Sequence, residues 1–500
     1  MKLREHFARA RVVTVARVLV TMAVAGWVAV ATITGQGGRQ GGGRQGAVVR
    51  LDSAKDMEMK ITDPFTLASV GDLIIMRPTS QLNDPAFQSA IKIVKDADFA
   101  VGNFEANASD LLHFEGPMRG FMGTKETPAD VKAMGFDLVN RANNHATESS
   151  ELGMLATNEL LEKAGLAYAG SGKNLEDARA AQFVDTPKGR VGMMGMTTLG
   201  FNPQANASAS YRVGNSGGKP GVNGVNLTRY EVVSAEQMAA LKKVRDAVYE
   251  HRTEYANPVE PIPANEPADR LDLFGMRYRV GAKPGEYAYD MNAEDLREIL
   301  RSVRNGKQYA DFMIATIHTH DLNSSLVKAH HGEEPPDFVV ELSHKAIDNG
   351  ADAWVGHGMH VLRGIEIYKG KPIFYGLGEF FRQMDWTMYP GRPDNDMTEA
   401  ELASRNWGPL VGSAINYDSV LTLTKFDKGR LQEIRLYPIV GGVEGPISRR
   451  GVPRMAPPDA AKRILTKLQA LSKPFGTTVA IEGNVGVIKI GAAATSNAGQ

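Results

Sequence analysis

The chain of 500 residues has no cysteine. That excludes disulfides, thiolate metal ligands and a cysteine nucleophile together, and it is compatible with an oxidising compartment. It also lacks a surplus of either charge: 57 lysines and arginines stand against 57 aspartates and glutamates. Without a net basic field, the sequence points away from nucleic acid as a partner. The rest of the composition, 43% hydrophobic and 23% charged, is that of an ordinary globular protein.

What is present starts at the N-terminus. Lys2, Arg4, Arg9, Arg11 and Arg17 precede an apolar run over residues 18–33. A basic segment followed by such a run reads as a signal peptide or membrane anchor over residues 1–34, with Ala29 and Ala31 as a small-residue cleavage site. The expected location is extracytoplasmic: periplasmic, or anchored with the globular part outside the cytoplasm. Residues 35–62 read as a flexible linker, on the strength of GQGGRQGGGRQG at 35–46. The globular part is expected from about Asp63, as a domain over 63–382, a C-terminal extension over 383–490 that completes the fold, and a disordered tail over 491–500.

The stretch DAWVGHGMHVLRGIEIYKGKPIFYGLGEFF at 352–381 organises the chain. A short apolar strand ends in glycine and delivers His357 and His360, and two further strands follow around the turn Lys369-Gly370. Other strand ends behave alike. Residues 65–70 run into Gly71-Asp72, 98–101 into Gly102-Asn103-Phe104-Glu105, 136–140 into Arg141-Ala142-Asn143-Asn144-His145, and 312–317 into His318-Thr319-His320-Asp321. Helices are expected over 86–95, 128–134 and 151–164. Strand, polar loop and helix thus recur three times, which predicts an α/β architecture with ligands at strand ends. Beyond residue 383 a β meander over 414–426 and 429–440, a helix over 459–472 and two closing strands read as structural.

Asp72, Glu105, Asn144, His145, His318, His357 and His360 form a carboxylate, amide and imidazole set. Those donors suit one or two divalent ions of the Mn/Zn/Fe class. Two ions about 4 Å apart, bridged by a carboxylate, polarise a phosphoryl or carbonyl oxygen and activate water. His113, His251, His330, His331 and His344 read as structural.

These residues lie in segments that resemble the CapA (poly-γ-glutamate capsule biosynthesis) family, a branch of the calcineurin-like metallophosphoesterase fold. The segments are VGDLIIMRP (70–78), DFAVGNFEA (98–106), GFDLVNRANNHATESSELGMLATNELLEKAGLAYAGSG (135–172), KPGVNG (219–224), TIHTHD (316–321) and GADAWVGHGMHVLRGIEIYKGKPIFYGLGEFF (350–381). The resemblance implies a layered sandwich of two mixed β-sheets flanked by helices, with the site at one edge. It implies the same seven residues as metal-site residues. It makes Asn144 and His145 the catalytic pair, the amide on metal and the imidazole on metal or protonating the leaving group. The chain also departs from the family. Gly358 stands where many relatives carry histidine, Glu379 where they carry asparagine, Glu148 where aspartate is usual, and His320 where glycine is frequent. His320 and Glu379 are therefore accessory ligand candidates.

The expected function is an exported, metal-dependent hydrolase with a phosphoesterase-type site, acting in capsule, poly-γ-glutamate or other surface-polymer biosynthesis. Its substrate would be an anionic polymer or a phosphoester. The alternative is a non-catalytic, membrane-tethered component of a polymer synthesis or export complex. A third reading, a sugar- or anion-binding cleft at Arg363, Tyr368, Arg382 and Trp386, competes with a solvated face at those residues.

Overall fold

A computed structural model describes residues 53–200, 207–252, 266–324, 332–383, 417–442 and 449–490. The expected N-terminal segment 1–34, the glycine-rich stretch, the tail 491–500, His330, His331 and Trp386 lie outside the described residues. The described unit starts at Ser53. Its first helix is Ser53–Asp56, and Ile61 is buried in the core, so the chain is engaged before Asp63.

Two sheets form the body, of 10 and 7 strands among the described residues. The strand Phe65–Ile74 lies at the centre of the larger sheet. It pairs in parallel with Phe99–Phe104 on one side and antiparallel with Asp418–Asp427 on the other. Leu138–Asn140 and Ala167–Ala169 continue the parallel run, and Arg430–Val440 extends the antiparallel half. The expected C-terminal extension therefore supplies interior strands of the main sheet. The smaller sheet is built on parallel strands Gly189–Thr198, Phe312–His318 and Ala353–His357, with the hairpin Ile365–Tyr368 and Lys371–Phe374 beyond them.

Alternating side chains explain the layering. Phe65, Leu67, Phe312, Ile314, Val355 and Val420 fill the space between the sheets. On the outer face of the larger sheet, Val70 and Phe104 pack on Phe87, Ile91 and Leu161 of the helices Pro85–Asp96 and Ser150–Lys163. On the outer face of the smaller one, Met313, Ile317 and Trp354 pack on Ile299, Val303, Phe338 and Leu342 of Ala293–Tyr309 and Asp337–Asp348. With both faces covered, the central strands read as continuous apolar runs rather than alternations. The architecture is the expected sandwich of two mixed sheets flanked by helices.

A further sheet of four strands was not expected: Arg270–Leu273, Met276–Val280, Leu227–Val233 and Tyr287–Met291. Its strands are half exposed and carry charges, as in LTRYEVV, so no apolar run marks them. The helix Ala235–Arg252 packs Met238 on Leu271 and Leu273. That helix starts in a capping box. The Ser234 amide donates to Gln237 Oε1 at 2.8 Å, and the Gln237 amide donates to Ser234 Oγ at 3.1 Å.

Candidate metal centre

The register of the larger sheet aligns a row of polar side chains across its strands: Glu379 opposite Asp72, Asp72 opposite Asn103, and Asn103 opposite Asn140. In the smaller sheet His318 lies opposite His357. Apart from Glu379, which opens its strand, these residues lie at or near the carboxyl ends of parallel strands, and the two rows meet at one edge of the sandwich.

Backbone approach makes this possible. A Cβ on Gly71 would stand 1.7 Å from the carbonyl oxygen of Gly378, so only glycine lets the Asp72 strand close on the Glu379 strand. Gly358 has φ +110°, and a Cβ there would stand 2.5 Å from the Thr319 carbonyl oxygen. A histidine at that position has no room in this chain.

Asp72 sits in the middle. Its Oδ1 accepts from Asn103 Nδ2 at 2.8 Å and lies 3.6 Å from His318 Nδ1. Its Oδ2 accepts from the Gly358 amide at 3.3 Å and lies 3.5 Å from His360 Nδ1. Glu105 Oε1 is 3.4 Å from His318 Nε2 and 3.8 Å from His145 Nε2, and it accepts no hydrogen bond. His318 Nε2 is 2.6 Å from Asn144 Oδ1. His360, in the left-handed region at φ +58°, places Nδ1 2.7 Å from Glu379 Oε1. Arg382 donates to the other oxygen of Glu379. The His320 ring lies 5.1 Å from the ring of His318 and 4.9 Å from that of His360. Donor atoms of Asp72, Glu105 and His318 fall within 4.8 Å of one another, as do those of Glu105, His320 and His360. Glu105 is common to both groups.

His357 belongs to neither group. The single hydroxyl proton of Thr316 goes to the Val355 carbonyl at 2.8 Å. Thr316 Oγ1 must therefore accept from His357 Nδ1, 3.1 Å away. That fixes the tautomer and leaves Nε2 as a bare lone pair, buried with no hydrogen-bond partner. A neutral imidazole with an orphan lone pair is the form a metal ligand takes.

The electrostatics agree. Burial, then the charges of Asp72 and Glu379, push the Glu105 carboxyl well above its ordinary range. Burial opposes ionisation of Asp72 too, but hydrogen bonds and charge from His318 and His360 hold it well below. Burial lowers His318, and lowers His357 to about 4. At His360 burial is outweighed by Glu379 and Asp72, which raise it to about 9. Asp72, Glu379 and the unbonded Glu105 Oε1 thus gather with His318 and His360 in one pocket, a hard-to-borderline donor set that suits a divalent cation.

His145 stands toward the mouth. Its Nδ1 is 2.5 Å from Glu148 Oε2, and the Phe121 ring lies 4.3 Å from its own. Glu148 therefore orients Nε2 inward, toward Glu105.

Sequence reasoning missed the amide network. Asn140 Nδ2 donates to the Ala142 carbonyl and Asn143 Nδ2 to the Phe104 carbonyl, which fixes both amides. Both also donate to Asn103 Oδ1, at 2.9 and 3.2 Å, so Asn103 Nδ2 is turned to Asp72. Asn103 positions Asp72. Its strand-end placement beside Glu105 was the only sequence signal for it. The reading of Arg363 and Arg382 as a solvated face is corrected. Both are buried, Arg363 donating to the Gly332 and Asp321 carbonyls and Arg382 to Glu379. Tyr368 is stacked on His344. A cavity of about 1150 Å³ beside the helix Ser150–Lys163 holds none of the candidate ligands.

Comparison with known proteins adds to this geometry. The profile of the family described as bacterial capsule synthesis protein PGA_cap matches residues 66–384. The uncharacterized protein y4sH of Sinorhizobium fredii is 37% identical over 465 residues, 88% of this chain and 96% of its own. The capsule biosynthesis protein CapA of Bacillus anthracis is 23% identical over 353 residues, covering 68% of this chain and 65% of that one. A solved Staphylococcus aureus structure, of a candidate 5'-nucleotidase with α-ketoglutarate, is 10% identical and has a TM-score of 0.31. It covers 79% of this chain and 55% of that one, a likeness too distant to bear on the site.

Proposed function

The chain belongs to the bacterial capsule synthesis protein PGA_cap family, and we propose that it is an exported, metal-dependent hydrolase acting in poly-γ-glutamate or related surface-polymer production. Carrying this reading is the pair of donor groups that share Glu105, Asp72–Glu105–His318 and Glu105–His320–His360, at the edge where the two sheets' strand ends meet. The residues fit a divalent ion because Glu105 Oε1 and His357 Nε2 are buried with no hydrogen bond, beside the buried carboxylates of Asp72 and Glu379. Asp72, Glu105, His318, His320 and His360 would hold it, with His357, Asn144 and Glu379 alongside. When bound, such an ion polarises a phosphoryl or carbonyl oxygen and lowers the pKa of water.

The chain's own work is positioning and proton transfer. Asn103 and the Gly358 amide hold Asp72 from opposite sides. Asn144 holds His318. Glu148 fixes His145 so that Nε2 presents a proton to the leaving group, the role of a general acid. A membrane location rests on residues 1–34. No described helix is long and apolar enough to cross a membrane.

The test loads the protein with Mn²⁺ or Zn²⁺, measures uptake by elemental analysis, and assays phosphodiesters and γ-linked polyglutamate. Uptake and hydrolysis by the wild type, both lost in Asp72→Asn, are expected. A wild type that takes up no metal overturns the reading. Metal uptake without hydrolysis, together with an Asp72→Asn variant that still supports surface polymer, would favour a tethered, non-catalytic component.

A further inference from the structure

Arg141, the residue after the strand Leu138–Asn140, is fully buried, and neither donor group includes it. Its guanidinium carbon lies 5.6 Å over the Phe104 ring. Among the described residues no carboxylate forms an ion pair with it, and burial lowers its pKa to about 9. A buried charge without an opposite charge is costly. A neutral side chain would avoid that cost. What arginine alone supplies here is a rigid, planar fork of donors.

That fork reaches two pieces of backbone. Glu105 and Ala106 lie in the break between the strands Phe99–Phe104 and Asn107–Ser109, outside the paired registers of both. Arg141 Nη1 donates to the Phe104 carbonyl at 2.9 Å and to the Ala106 carbonyl at 2.6 Å, one on either side of Glu105. Arg141 Nη2 donates to Asn107 Oδ1 at 3.0 Å. The amide of Asn107 is thereby oriented, and its Nδ2 donates to the His145 carbonyl at 2.8 Å. One guanidinium therefore ties the backbone that carries Glu105 to the turn that carries His145. The two side chains face each other, with His145 Nε2 3.8 Å from Glu105 Oε1.

We propose that Arg141 is a positioning residue of the metal centre: it fixes the backbone on both sides of Glu105 and, through Asn107, sets the His145 turn against it. The clamp rests on these hydrogen bonds alone, and on the hydrolase reading only for its consequences in metal binding and turnover. Because Glu105 is common to both donor groups, loosening its backbone should weaken metal binding. Loosening only the His145 turn should slow proton transfer and spare the metal.

The experiment compares two variants of the full-length protein. Arg141→Lys keeps the charge but replaces the fork with a single ammonium that cannot hold both arms. Asn107→Ala cuts the His145 arm and leaves the Glu105 arm. In competition with a chelator, Arg141→Lys should bind Mn²⁺ about tenfold more weakly, and Asn107→Ala within about twofold of the wild type. Turnover of a phosphodiester should fall about tenfold or more in both. In the metal-free protein, hydrogen exchange should quicken over residues 104–107 and 143–148 together in Arg141→Lys, and over 143–148 but not at Glu105 in Asn107→Ala. A merely structural arginine would lower the thermal midpoint and leave the Mn²⁺ affinity and kcat of the folded variant unchanged, and that result overturns the proposal. So does a loss of Mn²⁺ affinity in Asn107→Ala as large as that in Arg141→Lys. Should Arg141→Lys not fold, Asn107→Ala decides alone, and wild-type exchange and kcat there overturn the clamp. A wild type that takes up no metal sinks the hydrolase reading, while the exchange pattern still decides the clamp.

Discussion

The strand Phe312–His318 carries buried charge near both of its ends, under opposite conditions. Near its start, Lys307 and Asp352 pair at 2.7 Å with almost no exposure. Asp352 Oδ2 also accepts from the Met313 amide at 2.8 Å, while its Oδ1 makes no hydrogen bond but lies 3.1 Å from the Lys371 ammonium. At the other end, His318 enters a pocket of three buried carboxylates and one buried guanidinium, where Glu105 Oε1 and His357 Nε2 have no hydrogen bond. The first cluster is complete in charge, with a lysine ammonium facing each oxygen of Asp352. The second leaves two buried donor atoms, Glu105 Oε1 and His357 Nε2, that a bound cation would engage. That difference separates structure from function more sharply than burial does.

Breaking the complete cluster should have the largest effect on folding. Lys307→Ala leaves Asp352 with Lys371 alone and should cost about 3 kcal/mol or more of stability, read from urea unfolding of the metal-free protein. Glu105→Gln should do the reverse. Burial already favours the neutral acid there, so the metal-free fold should change little. Because Glu105 is shared by both donor groups, metal affinity should fall about 100-fold or more, measured by competition with a chelator. A large stability loss in Glu105→Gln, or none in Lys307→Ala, would erase the contrast.

Much of the incomplete cluster was legible because its residues follow apolar runs, and a strand that stops at an acid or histidine is visible in one dimension. Asp72, Glu105, His318 and His360 were found in that way. Asn103 was not, since its role exists only when three strand ends bring Asn140 and Asn143 beside it. The buried partners of Arg363 are backbone carbonyls of distant loops, which no local pattern announces. The strand Asp418–Asp427 was predicted, but its place beside Phe65–Ile74 depends on pairing across most of the chain. The four-stranded sheet escaped because polar, half-exposed strands lack a strong period.

A smaller effect belongs to the mouth of the site. Glu148→Gln keeps the shape of the partner of His145 but removes its charge. Turnover should fall about tenfold to 100-fold with metal content unchanged. Wild-type turnover at wild-type metal content would mean that Glu148 does not act through His145.

The smallest predicted change is in the pH dependence of the metal-free fold. His360, raised to about 9, contributes stability that is fully present below about pH 6.5 and lost as pH rises through about 9. A cation takes over that proton's place, so metal binding near pH 8 should release it, detectable by calorimetry in buffers of different ionisation enthalpy. His357 works in the other direction. Its folded form stays neutral down to about 4, while the unfolded chain takes up a proton near pH 6.5. The unfolded state therefore binds more protons in between, and the stability present above about pH 6.5 is lost as pH falls. Between about pH 6.5 and 5.5 the expected loss from this one ring is about 1 kcal/mol or less. His357→Gln should remove that part of the slope while the Lys307–Asp352 cluster leaves it unchanged. An identical acid slope in the variant would mean that His357 is not held neutral by its burial, and the argument for its bare Nε2 as a metal donor would fail with it.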